Sequence, residues 1–99
     1  MISVDKETLE SLTKTNKRVF VFFYSEWDGM SKMMFPDLKK LENEIDTPIT
    51  ICNIDYNYDL GDIHKVRGLP TFSVVEGDEI IKNESSVHGI DFIRDFIEN

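Results

Sequence analysis

Apolar residues fall along this chain with two different periods. From Val19 to Tyr24 the sequence VFVFFY has no charged or amide position and is β-branched and aromatic throughout. A strand without alternation is one buried on both faces, as at the centre of a parallel sheet. PITICNID, Pro48 to Asp55, places Ile49, Ile51, Cys52 and Ile54 in a second strand pattern. ISV, Ile2 to Val4, predicts a short strand at the start. TFSVVEGDEIIKN predicts two strands around Glu76-Gly77-Asp78-Glu79, a hairpin turn signal.

Helical spacing fills the gaps between these strands. Asp5 reads as an N-cap before KETLESLTK, where Leu9 and Leu12 share one face. Met30, Met33, Met34, Leu38, Leu41 and Ile45 predict a long helix from about Gly29 to Asn43. Pro36 falls inside it and is expected to kink it, having no amide hydrogen to donate. A short helix is expected from Leu60 to Val66, with Gly68 as a stop signal, and an amphipathic one closes the chain with Ile90, Ile93, Phe96 and Ile97 inward. The predicted order is β-α-β-α-β-α-β-β-α, an α/β sandwich on a mixed sheet.

Composition narrows the function classes. At 99 residues the expectation is a single domain, residues 1–99. That is long enough for a core that needs no staple, since disulfides or metals become necessary only below roughly 40 residues. The net charge of −8, from 11 basic and 19 acidic residues, repels phosphate backbones and argues against direct nucleic-acid binding. No apolar run approaches the ~20 residues of a membrane span. The opening MISVDKETLE shows no basic segment leading into a long apolar one, so no signal peptide and a cytoplasmic location are expected.

Candidate chemistry is sparse. The single cysteine, Cys52, permits no internal disulfide, and among isoleucines it reads as a small buried hydrophobe. His64, expected to be exposed on a short helix, and His88, before Gly89 in a loop, share no ligand spacing with it. No metal site and no cofactor are therefore expected. No serine sits in a strand-turn-helix elbow with a supporting histidine, so a serine hydrolase is not supported. Met33 and Met34 read as core filling, and Met30 as a surface thioether beside Trp27.

The predicted order and four local stretches together resemble the thioredoxin family over nearly the whole chain. VFFYSEWDGMSK resembles the family's strand, AEWCGPCK junction and helix. Pro36 stands at the spacing of the family's kinking proline, CNID resembles the end of its third strand, and VRGLPTF closely resembles its IRGIPT stretch. The resemblance implies a thioredoxin-like fold with a mixed sheet of four to five strands and a cis bond before Pro70. It also implies a protein-facing groove formed by Trp27, Asp28, Gly29 and Met30 with Gly68, Leu69, Pro70 and Thr71, whose loop offers backbone groups to a partner's extended chain.

The departures from the family carry the functional expectation. Asp28 and Ser31 stand at the two cysteine positions, Phe22 at the buried acid and Ile51 at the lysine near it. Dithiol exchange needs one thiolate to attack and a second thiol to resolve the mixed disulfide, and neither is there. At a helix start Asp28, with Ser31 three residues on, reads as a cap. The chain is expected to be a redox-inactive, non-enzymatic thioredoxin-like module that binds a protein partner, as a monomer or weak dimer. The alternatives are residual oxidoreductase or monothiol activity through Cys52, other chemistry at Asp28, or a structural domain with a vestigial groove.

Overall fold

The structure is a computed structural model describing residues 1–99. Five strands, β1 (Ile2–Ser3), β2 (Val19–Tyr24), β3 (Ile49–Asn53), β4 (Thr71–Glu76) and β5 (Glu79–Ser85), form one sheet in the order β1-β3-β2-β4-β5. The helices are α1 (Lys6–Thr15), α2 (Gly29–Lys32), α3 (Phe35–Glu44), α4 (Tyr58–Ile63) and α5 (Ile90–Glu98), with a 3-10 turn at Ile54–Tyr56. Strand β2 pairs parallel with β3 and antiparallel with β4, so the sheet is mixed, as the sequence pattern implies.

The unbroken apolar run of β2 has a direct cause. Successive side chains point to opposite faces of a strand. Phe20, Phe22 and Tyr24 enter a larger core with Leu38 and Leu41 of α3, Ile93 and Ile97 of α5, and Phe72. Val19, Val21 and Phe23 enter a smaller core with Leu9 of α1, Leu60 of α4 and Cys52. Both sets are shut off from water, and burying each such side chain contributes roughly 1.5–3 kcal/mol. Helix α5 is fastened at its C-terminal end, where Arg18 Nη1 donates to the Ile97 carbonyl and Lys82 Nζ to the Phe96 carbonyl.

Two helices differ from their sequence pattern. The long helix expected from Gly29 to Asn43 is two helices, not one kinked rod. Lys32 ends the first, Met34 N bonds the Ser31 carbonyl in a tighter turn, and α3 starts with Pro36 in its first turn. Proline lacks the donor and its ring would strike the carbonyl four residues back, so the helix restarts where that carbonyl needs no partner. The break also divides the methionines. Met34 is buried, but Met33 is 67% exposed and fills no core.

Helix α4 begins and ends earlier than expected. Gly68 does not terminate it. Lys65 does, at φ +56, with Val66 N returning to the Gly61 carbonyl at 2.8 Å. The early end turns His64 inward. It is only 3% exposed, its ring lies 4.9 Å from that of Phe23, and its Nδ1 has no hydrogen-bond partner. The expectation of a solvent-facing His64 is therefore corrected: α4 packs its last turn onto the smaller core.

Burial pushes the His64 pKa down to about 4. The unfolded chain takes up this proton near pH 6.5 and the folded chain only near 4, so the stabilisation is complete above 6.5 and is lost as pH falls between the two. Urea unfolding of the wild type should lose up to about 3 kcal/mol more across that interval than unfolding of His64→Phe. Equal slopes for the two proteins would show that the histidine takes up its proton without penalty.

Candidate functional site

The parallel register of β2 and β3 aligns Tyr24 with Asn53 and delivers the two following segments to the same edge of the sheet. Ligands of open α/β sheets bind beyond the carboxyl ends of such strands. Ser25 joins the two segments. Its hydroxyl donates to Asp55 Oδ2 at 2.8 Å and accepts from Trp27 N at 3.2 Å, while its carbonyl accepts from Asp28 N at 3.1 Å. Asp55 is itself oriented by its amide, which donates to Asn53 Oδ1. The turn carrying Trp27 is thus tied to the 3-10 turn after β3.

Asp28 occupies the N-cap of α2. Its Oδ1 accepts from Met30 N at 3.2 Å, and its backbone carbonyl accepts from the Ser31 hydroxyl at 3.0 Å. Ser31 is fully buried and Asp28 half-buried. A carboxylate is well placed there because the first amides of a helix lack internal partners and carry partial positive charge. Trp27 projects away from the corner and is 91% exposed, and Met30 is 54% exposed.

The second wall comes from β4. Phe23 pairs with Thr71, so the residues before Thr71 lie alongside the end of β2. The Leu69–Pro70 peptide is cis. Thr71 Oγ1 donates to the Gly68 carbonyl at 2.6 Å, which closes the loop on itself. Leu69 uses neither its amide nor its carbonyl in a backbone hydrogen bond. Its side chain leans on the smaller core and Pro70 is buried. Trp27, Met30 and Met33 are the exposed apolar side chains of α2 and the turns that flank it, while Leu69 is half-buried and Pro70 buried.

A third wall was not read from the sequence. Ser86 N donates to the Pro70 carbonyl at 3.0 Å, and Thr71 Oγ1 lies 3.3 Å from Ser85 Oγ. These bonds seat the segment between β5 and α5 beside the loop. His88 there stacks on Phe92 with ring centroids 3.9 Å apart, and Val87 is exposed. The polar break SSVHG marks a loop in the sequence, but only the β4–β5 pairing shows which loop it faces.

The only thiol is shut off from this surface. Cys52 is fully buried in β3, and burial, reinforced by the charges of Asp59 and Asp5, pushes its pKa up to about 12. A thiol held in that state is a poor nucleophile at neutral pH. The described residues bring together no cluster of histidine, cysteine and carboxylate side chains able to hold a metal ion.

The sequence matches the profile of the thioredoxin family over residues 1–99. The chain belongs to the thioredoxin family. It is 32% identical over 82 residues to a thioredoxin of Streptomyces clavuligerus, a match covering 81% of this chain and 77% of that one. It is 29% identical over 69 residues to thioredoxin-T of Drosophila melanogaster, covering 68% of this chain and 44% of the fly protein's length. Among solved structures, a variant thioredoxin from Halobacterium salinarum superimposes with a TM-score of 0.91 at 28% identity, covering 98% of this chain and 87% of that one. Within this thioredoxin-family chain a single cysteine leaves no pair for a CxxC dithiol motif. No helix is long and apolar enough to cross a membrane.

Two measurements check the assignment of local roles. Asp28→Ala should lower urea-unfolding stability by about 1 kcal/mol while Asp28→Asn, which still caps, stays within a few tenths. Equal losses would mean that the carboxylate's charge, not its cap, matters to the fold. Cys52 should resist a thiol-labelling disulfide reagent in the native protein and react fully in urea; rapid native labelling would contradict its burial.

Proposed function

We propose that this chain is a non-catalytic, redox-inactive binding member of the thioredoxin family that holds an extended segment of a protein partner. The unpaired amide and carbonyl of Leu69, beside exposed Trp27 and Met30, carry this reading. An incoming strand can donate to one and accept from the other, as in strand addition to a sheet edge, while its side chains rest on the tryptophan and the thioether. Gly29, Gly68 and Thr71 frame the contact, and the buried Pro70 holds its backbone in place. The positions that would carry thiol exchange hold a capping carboxylate and a buried hydroxyl, which favours binding without turnover.

The partner is retained for recruitment, holding or assembly into a larger complex, in a cytoplasmic setting that suits a lone reduced cysteine. The experiment is affinity capture from cell extract with the wild type, Trp27→Ala and Leu69→Arg, together with a disulfide-reduction assay on insulin. Recovery of the specific partner should fall at least roughly ten-fold in both variants, since an exposed aromatic anchor commonly dominates such contacts, and insulin should not be reduced. Equal recovery from all three proteins would remove the groove from the reading. Turnover abolished by Cys52→Ser would replace it with monothiol chemistry.

A further inference from the structure

The sequence EWD at Glu26–Asp28 and the sequence DYNYD at Asp55–Asp59 share a composition: exposed aromatic residues, each with an acidic neighbour. The register of the sheet brings the beginnings of these two segments together. Tyr24 of β2 pairs with Asn53 of β3 in parallel, and three residues beyond each stand Trp27 and Tyr56. The Ser25–Asp55 hydrogen bond joins the two segments directly. Tyr58 follows at the start of α4. Trp27, Tyr56 and Tyr58 are 91%, 83% and 75% exposed, although aromatic side chains of this size are ordinarily largely buried.

The carboxylates next to them in sequence retain acceptor capacity. Asp28, Asp55 and Asp59 each give one oxygen to a local donor, namely Met30 N, the Ser25 hydroxyl and Leu60 N, and leave the other open. Of the cations on the framing elements, Lys32 is held on Glu26 at 3.3 Å. Lys6 sits beyond Tyr56 on a shallow rim with Asp5, Glu7 and Asp59. Arg67 belongs to the loop across the groove, where its Nη1 reaches the Val66 carbonyl at 3.5 Å. The two segments that carry the tryptophan and the tyrosines are acidic and aromatic, on a chain of net charge −8.

The geometry points to a partner segment that is basic, and specifically one that carries arginine, lying across Trp27, Tyr56 and Tyr58. A guanidinium stacks its plane on an aromatic ring and presents its edge donors to a carboxylate at once, which a lysine ammonium does less well. Charge complementarity also favours this occupant over an acidic one and speeds its encounter. This inference rests on the reading of the corner as a binding surface, but it concerns a wider surface than the Leu69 backbone and can fail separately from it.

Trp27 is the only tryptophan, so its fluorescence reports occupancy directly. The probes are short synthetic peptides in which valine alternates with arginine, lysine, glutamine or glutamate, and an N-methylated form of the arginine peptide whose backbone cannot pair with Leu69. The arginine peptide should give a saturable change, bind more tightly than the lysine one, and weaken as salt rises. Affinity should fall at least roughly five-fold in the double variant Tyr56→Ser/Tyr58→Ser and in Glu26→Gln/Asp28→Asn, the size expected for losing one aromatic or carboxylate contact to a cation. Asparagine preserves the α2 cap, so the second variant folds. Glutamate and arginine peptides binding alike, or indifference to both double variants, would overturn the inference. Were N-methylation alone to weaken binding, the Leu69 groove would stand without the basic partner. An N-methylated arginine peptide that binds undiminished, yet is lost in the tyrosine variant, would leave the acid-aromatic surface standing without the groove. No response to any peptide overturns both.

Discussion

Everything in this molecule hangs on the burial of β2 from both sides. Five consecutive residues have no contact with water and the sixth, Tyr24, very little, so each face of the strand must be covered, and its two hydrogen-bonding edges must be paired. Strands β3 and β4 satisfy the edges, α3 and α5 cover one face, and α1 and α4 cover the other. Because β3 runs parallel and β4 antiparallel, the end of β2 meets the end of one neighbour and the beginning of the other. The corner is the consequence of that meeting, not an addition to the fold.

The same constraint explains why the corner keeps its shape without thiols. Ser25, Asp55 and Asn53 form a short relay of hydrogen bonds between the two parallel strand ends. Asp28 and Ser31 satisfy the first turn of α2 locally. Neither arrangement needs a sulfur atom. The corner therefore keeps its shape with no cysteine pair in it.

In the proposed reading, the walls contributed by irregular backbone would divide the work of recognition. The loop before Thr71 would offer a backbone that suits any extended sequence, since amides and carbonyls are common to all of them. Trp27, Met30 and, in our inference, the tyrosines with their acidic neighbours would discriminate by side chain. Ser86, at φ +77, is held in a conformation unusual for a serine by its bond to the Pro70 carbonyl, which ties the third wall to the second.

The residues alone indicated the strands, since period and apolar content report burial: VFVFFY carries the pattern of a doubly covered strand. They also determined the absence of a dithiol pair, the N-cap at Asp5, and the resemblance carried by EWDGMSK and RGLPT. What they left open was whatever depends on partners distant in the chain. Pro36 was legible as a disturbance, but whether a helix bends or divides depends on how Met34 and Leu38 reach the larger core. His64 was misread because its burial is imposed by the sharp turn at Lys65, and a left-handed lysine has no signature in a single sequence. Tyr56 and Tyr58 carry no signal of their own in the sequence, and only the β2–β3 register and the Ser25–Asp55 bond bring their segment to the one that carries Trp27. Local spacing fixes which residues share a face of one element; only the packed sheet decides which faces and loops meet.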